Sequence, residues 1–170
     1  MRPIKTLRGA TLSVIAAGLV NTSAHAEIKT GDSYGDWAVE CHASGPDKND
    51  KNVCVLTQTV VDKDKKLKLL KLIFGRGKDE PFFTALVPLG INIPAGVTAT
   101  VDQHKPISLT VQTCFQQGCV ATTTLDGKLL KEIRSGEKLA INFTMKPSAK
   151  SVSINGSLKG IKEGMKAIDL

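Results

Sequence analysis

The chain has 170 residues, with 23 Lys and Arg against 16 Asp and Glu, and its aromatic residues are limited to one Trp, one Tyr and five Phe. That length suits a single domain able to bury about two-thirds of the surface its unfolded chain exposes. The basic excess is too mild, and the aromatics too few, for a nucleic-acid-binding surface.

Residues 1–26 read as an export signal. A basic start (Arg2, Lys5, Arg8) leads into the apolar run "GATLSVIAAGLV" and then into polar "NTS" and "AHA", the small-residue pattern a signal peptidase cuts after. The apolar run is too short for a membrane span, which needs roughly 20 residues. Cleavage would place the mature start at Glu27 and leave 27–170 as one domain. It would remove three of the 23 basic residues and none of the 16 acidic ones, leaving 20 against 16. No later segment is long or apolar enough to span a bilayer, so the expected location is periplasmic or secreted.

From there the dominant period is two, the signature of half-buried strands. In "DWAVECH", Trp37, Val39 and Cys41 share one face and Ala38, Glu40 and His42 the other. Trp37 and Val39 are therefore candidate core residues, beside a cysteine in a layer that a disulfide would staple. "VCVLTQTVV" is the partner strand, β-branched and uncharged. "KLKLLKLIFG" has the Leu and Lys content of an amphipathic helix, but Lys66 and Lys68 alternate with Leu67 and Leu69 before the phase slips at Leu70; a bulge in a strand explains the slip, and the close flanking turns favour strand over helix. "PFFTALVPLG" and "INIPAGVTATVD" follow, with Pro88, Pro94 and Gly96 marking breaks or edges. "ISLTVQTCF" and "GCVATTTL" read as a hairpin. Asp126 can cap a short helix that puts Leu129, Leu130 and Ile133 on one face. "KLAINFTM" and "SVSINGSLKG" return to alternation, and "IKEGMKAIDL" closes the chain as one or two helical turns. Seven or eight short strands separated by frequent turns predict an antiparallel β-sandwich with one or two short helices.

All four cysteines follow the leader, and an exported compartment oxidises thiols. Of three possible pairings, spacing favours Cys41 with Cys54 and Cys114 with Cys119, each pair spanning a polar turn. Loop closure assigns about 3 kcal/mol to the longer loop and about 2 to the shorter. A four-cysteine zinc site would need close-spaced knuckles, whereas the spacings are C-x12-C and C-x4-C. No metal or other cofactor is expected.

These segments resemble the invasion-associated locus B proteins, small exported bacterial proteins. The resemblance rests on "YGDWAVEC", the Cys in "VCVLTQ", the block "VPLGINIPAGV" with its following "VD", the pair "CFQQGC" with "VA" after it, and the terminal "SLKG", all in that order. Ile161 stands where the family pattern leads one to expect an aromatic. The resemblance implies an immunoglobulin-like sandwich with disulfides and a non-enzymatic role in binding a protein or glycan at the envelope or host surface, including host-cell invasion. A role in envelope maintenance without a host is the second reading.

The residues offer little chemistry. His42 and His104 are the imidazoles of the mature chain, and neither lies in a recognisable nucleophile elbow. Asp36 and Glu40 would stand roughly 13 Å apart along one strand, too far for a carboxylate pair acting on one bond. Asp102 reads as a turn former. Lys63, Lys65, Lys66, Lys68 and Lys71 concentrate positive charge within nine residues. Such a cluster could make weak contact with anionic lipid or lipopolysaccharide, or could simply protect a sheet edge from pairing.

Overall fold

The computed structural model describes residues 27–43, 52–62, 64 and 66–170. The proposed leader, Lys63 and Lys65 lie outside the described residues. Among the described residues ten strands run in chain order: β1 Ser33–Tyr34, β2 Trp37–Ala43, β3 Asn52–Asp62, β4 Leu67–Arg76, β5 Pro81–Val87, β6 Val97–Val101, β7 Ile107–Phe115, β8 Gly118–Thr124, β9 Lys138–Thr144 and β10 Ser151–Ser157. Two helices, α1 Gly127–Ser135 and α2 Ile161–Ala167, follow β8 and β10. Every segment with period-two alternation is a strand. The count exceeds seven or eight, in part because β1 is two residues long and too short to show any period.

The strands pair antiparallel throughout, in the order β1-β2-β3-β4-β5-β8-β7-β6-β9-β10. β7 turns the sheet back on itself: Ile107–Leu109 pair with β6, whereas Thr110–Phe115 pair with β8, with a register shift between Val111 and Thr113. A strand that changes layers through an irregularity is how a continuous ladder becomes a sandwich. Leu56, Leu72, Phe74 and Phe83 from the larger layer and Val101, Leu139, Ile141 and Phe143 from the smaller one belong to one buried cluster. Trp37 is 1% exposed. Its ring lies 5.1 Å from that of Phe74, which stacks at 4.7 Å on Phe83.

The phase slip in β4 is a bulge. Val60 pairs with Leu70 but Val61 pairs with Lys68, so Leu69 has no partner of its own on β3. This extra residue brings Leu70, Leu72 and Phe74 into the core while Lys68 stays exposed. Asp126 caps α1 by accepting a hydrogen bond from Leu129 N at 2.7 Å, and Ile133 is buried. Asp102 takes a left-handed conformation (φ 45°), which Asp tolerates, and its carboxylate accepts from the amides of Glu137 and Lys138. The turn former thus ties the end of β6 to the start of β9.

α2 closes one end of the sandwich, with Ile161 and Met165 buried. The turn before β2 and the turn before α2 meet backbone to backbone. Asp36 N donates to Lys159 O, Gly35 has φ +58° and Gly160 φ +83°, and a Cβ on Gly160 would stand 2.3 Å from Tyr34 O. Only glycine permits both that conformation and that approach. Among the described residues no helix is long and apolar enough to cross a membrane.

Candidate functional site

Both disulfides join directly opposed residues of adjacent strands: Cys41 to Cys54 across β2 and β3, and Cys114 to Cys119 across β7 and β8. They lie within the larger layer and do not cross between layers. The second closes the tip of the β7–β8 hairpin, where the last residue of β7, Phe115, is 45% exposed.

Trp37 and Val39 are both in the core. The indole Nε1 donates to Ser157 O at 3.0 Å, and Gln58, 8% exposed, completes the same bracket. The Gln58 Oε1 accepts from Ser157 N at 2.8 Å, and its Nε2 donates to Ser157 O and Asp36 O. One carboxamide thus makes to Ser157 the two bonds a neighbouring strand would make. Nothing in "VLTQTVV" distinguishes a glutamine aimed into the core, and only the register of β3 reveals it.

The outer face of the larger layer is mostly half-buried. The strand registers set Thr57, Ile73, Thr84, Thr122 and Thr110 in one lateral row across β3, β4, β5, β8 and β7. At the disulfide-closed hairpin tip this face carries a groove of about 460 Å³, walled by Leu69, Leu86, Pro88 and Phe115, with Lys68 and the Glu40–Lys71 pair at its side. Leu69 is there because the bulge displaces it from the β3 register.

Lys71 Nζ donates to both oxygens of Glu40, at 2.8 and 3.0 Å, and Thr57 Oγ1 adds a third bond at 2.9 Å. Partial burial raises the Glu40 carboxyl. The bonds from Lys71 and Thr57, with the charges of Lys71 and His42, outweigh it and hold the carboxyl below its ordinary value. The carboxylate stays ionised and acts as a structural acceptor. Lys71 is thereby engaged within the sheet. Lys66, in the turn before β4, and Lys68 on the strand are exposed, and Lys63 and Lys65 fall outside the described residues. Of the three described lysines of the cluster, Lys68 and Lys71 line the groove.

His42 is exposed near the end of β2, and His104 Nδ1 lies 3.7 Å from Glu132 Oε1 in a distant turn. Asp36 precedes β2 in a turn and does not share the Glu40 strand. Among the described residues no group of three or more His, Cys, Asp and Glu gathers that could hold a metal.

The Glu40–Lys71 pair predicts a pH effect. A depressed carboxyl stabilises the fold in full above its unfolded value of 4.5, and that contribution is lost as pH falls through the lower folded value. Because the two side chains are about a third exposed, solvent screening limits the contribution to about 0.5–1 kcal/mol. Urea melts of Glu40→Gln should show this deficit at pH 7 and none well below the folded value; an unchanged deficit in acid would mean lost packing rather than lost charge.

The family model for the Invasion associated locus B protein matches residues 37–169. Two Invasion protein B homologs of Brucella abortus, from strain 2308 and from biovar 1 strain 9-941, are each 26% identical over 154 residues, covering 88% of this chain and 83% of the relative. The crystal structure of invasion associated protein b from Bartonella henselae superposes with a TM-score of 0.70 at 22% identity, covering 81% of this chain and 93% of that one, and so shares the fold.

Proposed function

The chain belongs to the invasion associated locus B family, and from that membership we propose that it is an exported, non-enzymatic binding module of the bacterial envelope or surface. Its role is to engage a protein or glycan in host-cell interaction. Two disulfides support an oxidising compartment, and the names of the relatives support the host role. The observation that carries the binding assignment is Phe115, an aromatic 45% exposed at a disulfide-closed tip, beside an apolar groove with a cationic rim. Aromatic anchors flanked by apolar walls dominate binding energy at protein interfaces.

Phe115→Ala should leave the melting temperature nearly unchanged and weaken capture by about 2 kcal/mol, roughly thirty-fold. The measurement is titration of the immobilised protein with solubilised host-cell membranes and, separately, with envelope extract. Equal binding by wild type and variant would remove the groove assignment. Selective capture from envelope extract alone would favour the envelope-maintenance reading at the same site. Lys66 and Lys68 add a weaker contact with acidic lipid or lipopolysaccharide. Pelleting with acidic vesicles should therefore fall between 0.1 M and 1 M salt, where the screening length drops from about 10 Å to 3 Å, and fall again in Lys66→Gln/Lys68→Gln.

A further inference from the structure

The last strand of the sheet has a free edge of unusual character. β10 is "SVSINGS", with no charge, no proline and an unbroken register against β9. Natural edges are blunted by lysine, proline, bulges or shortness. The opposite edge follows that rule, since β1 is two residues long and packs beside α2. β10 does not follow it.

The bonding phase shows which groups the edge presents. Leu158 N donates to Glu137 O and Met145 N donates to Lys150 O at the two ends of the β9–β10 ladder. Alternation therefore turns the amides and carbonyls of Val152, Ile154 and Gly156 toward β9, and those of Ser151, Ser153, Asn155 and Ser157 away from it. Ser157 is already satisfied by Gln58 and Trp37. Ser151, Ser153 and Asn155 remain as three residues at the end of the strand order, where no strand of the described residues follows.

We propose that this edge pairs with the same edge of a second copy of the chain, antiparallel and centred on Ser153. A two-fold axis there sets Ser153 opposite its counterpart and Ser151 opposite Asn155, forming about six backbone hydrogen bonds. The same register places Val152 opposite Ile154 on the inward face. Both are only half-buried in the single chain, although they pack on its core, and pairing supplies each with an apolar neighbour. A strand without charge meets its own copy without repulsion, which favours self-pairing over a charged partner. The two smaller layers then run as one continuous sheet through both copies.

So short an interface makes a weak dimer. Sedimentation of the full mature chain from about 10 µM to about 1 mM should show the mass rising toward two copies. Amide exchange at Ser151, Ser153 and Asn155 should slow over the same range. With oxidised glutathione added as the oxidant, Ser153→Cys should give a disulfide-linked dimer, because opposed residues of a hydrogen-bonded pair lie within bridging distance. Ser153→Pro removes an outward amide that β9 does not use and should keep the protein monomeric with its melt preserved. Should that variant fail to fold, Ser153→Lys carries the same test by setting like charges opposite each other. A chain that stays monomeric at 1 mM overturns the proposal. So does a dimer that persists in a folded Ser153→Pro or Ser153→Lys variant, or one that Ser153→Cys leaves unlinked.

Discussion

Trp37→Ala should lower unfolding free energy by about 3–5 kcal/mol, the range for emptying a large buried aromatic site. The ring is 1% exposed, tilts at 60° against Phe74, and through it joins the stack with Phe83. Its removal also takes a donor from Ser157 O. Trp37→Phe separates the two contributions, because it retains much of the apolar volume and deletes only the indole donor. The carbonyl still accepts from Gln58 Nε2, so Trp37→Phe should cost well under half of the alanine loss. Chemical denaturation of both variants with both disulfides intact measures the difference. A loss below about 1 kcal/mol for Trp37→Ala would mean that the ring is not part of the core.

Gln58→Leu should cost about 2–4 kcal/mol although it replaces a polar side chain by an apolar one of similar size. It leaves Ser157 N and Asp36 O without the partners they have in the native protein; both bonds are part-buried, so each loss falls toward the lower end of the about 1–3 kcal/mol that an unsatisfied buried group costs. Trp37 and Gln58 converge on one carbonyl, so their effects should not add. With Trp37→Phe alone, or Gln58→Leu alone, Ser157 O keeps one donor; with both changes it keeps none. A double-mutant cycle should therefore show a coupling of about 0.5–3 kcal/mol. Additive losses would show that the two side chains support the β10 end independently.

Trp37 and Gln58 also mark how far local sequence reaches. Trp37 is legible because period-two alternation places it with Val39 and Cys41, and a large ring on the apolar face of a strand has only one favourable destination. The bulge is legible for the same reason: the loss of phase at Leu70 in "KLKLLKLIFG" cannot fit an unbroken ladder. Gln58 shares a face with Leu56, and alternation alone would have to read it either as an error or as a residue with an unknown partner. That partner, Ser157, is 99 residues away.

The Lys71 assignment shows the converse. Five lysines within nine residues look like one surface strip, yet Lys71 is claimed by Glu40, 31 residues earlier in the chain. Charge clustering along a sequence says where cations are numerous. Which of them remain available depends on what the neighbouring strands carry.

What the sequence by itself determined is therefore local: the strands and their inward faces, the bulge, the Asp126 cap, the two turn-spanning cysteine pairs and the leader-like start. Each follows from interactions over a few residues, where backbone geometry and side-chain polarity restrict the outcome. The tertiary structure alone decided the placement of the β7–β8 hairpin between β5 and β6, the bend in β7 that makes two layers, the Gln58 bracket, the groove beside Phe115 and the uncharged free edge of β10. Those depend on which strands become neighbours across long stretches of chain. Antiparallel pairing energies are similar enough that alternation alone cannot rank the partners; burying both inner faces in one closed core selects among them.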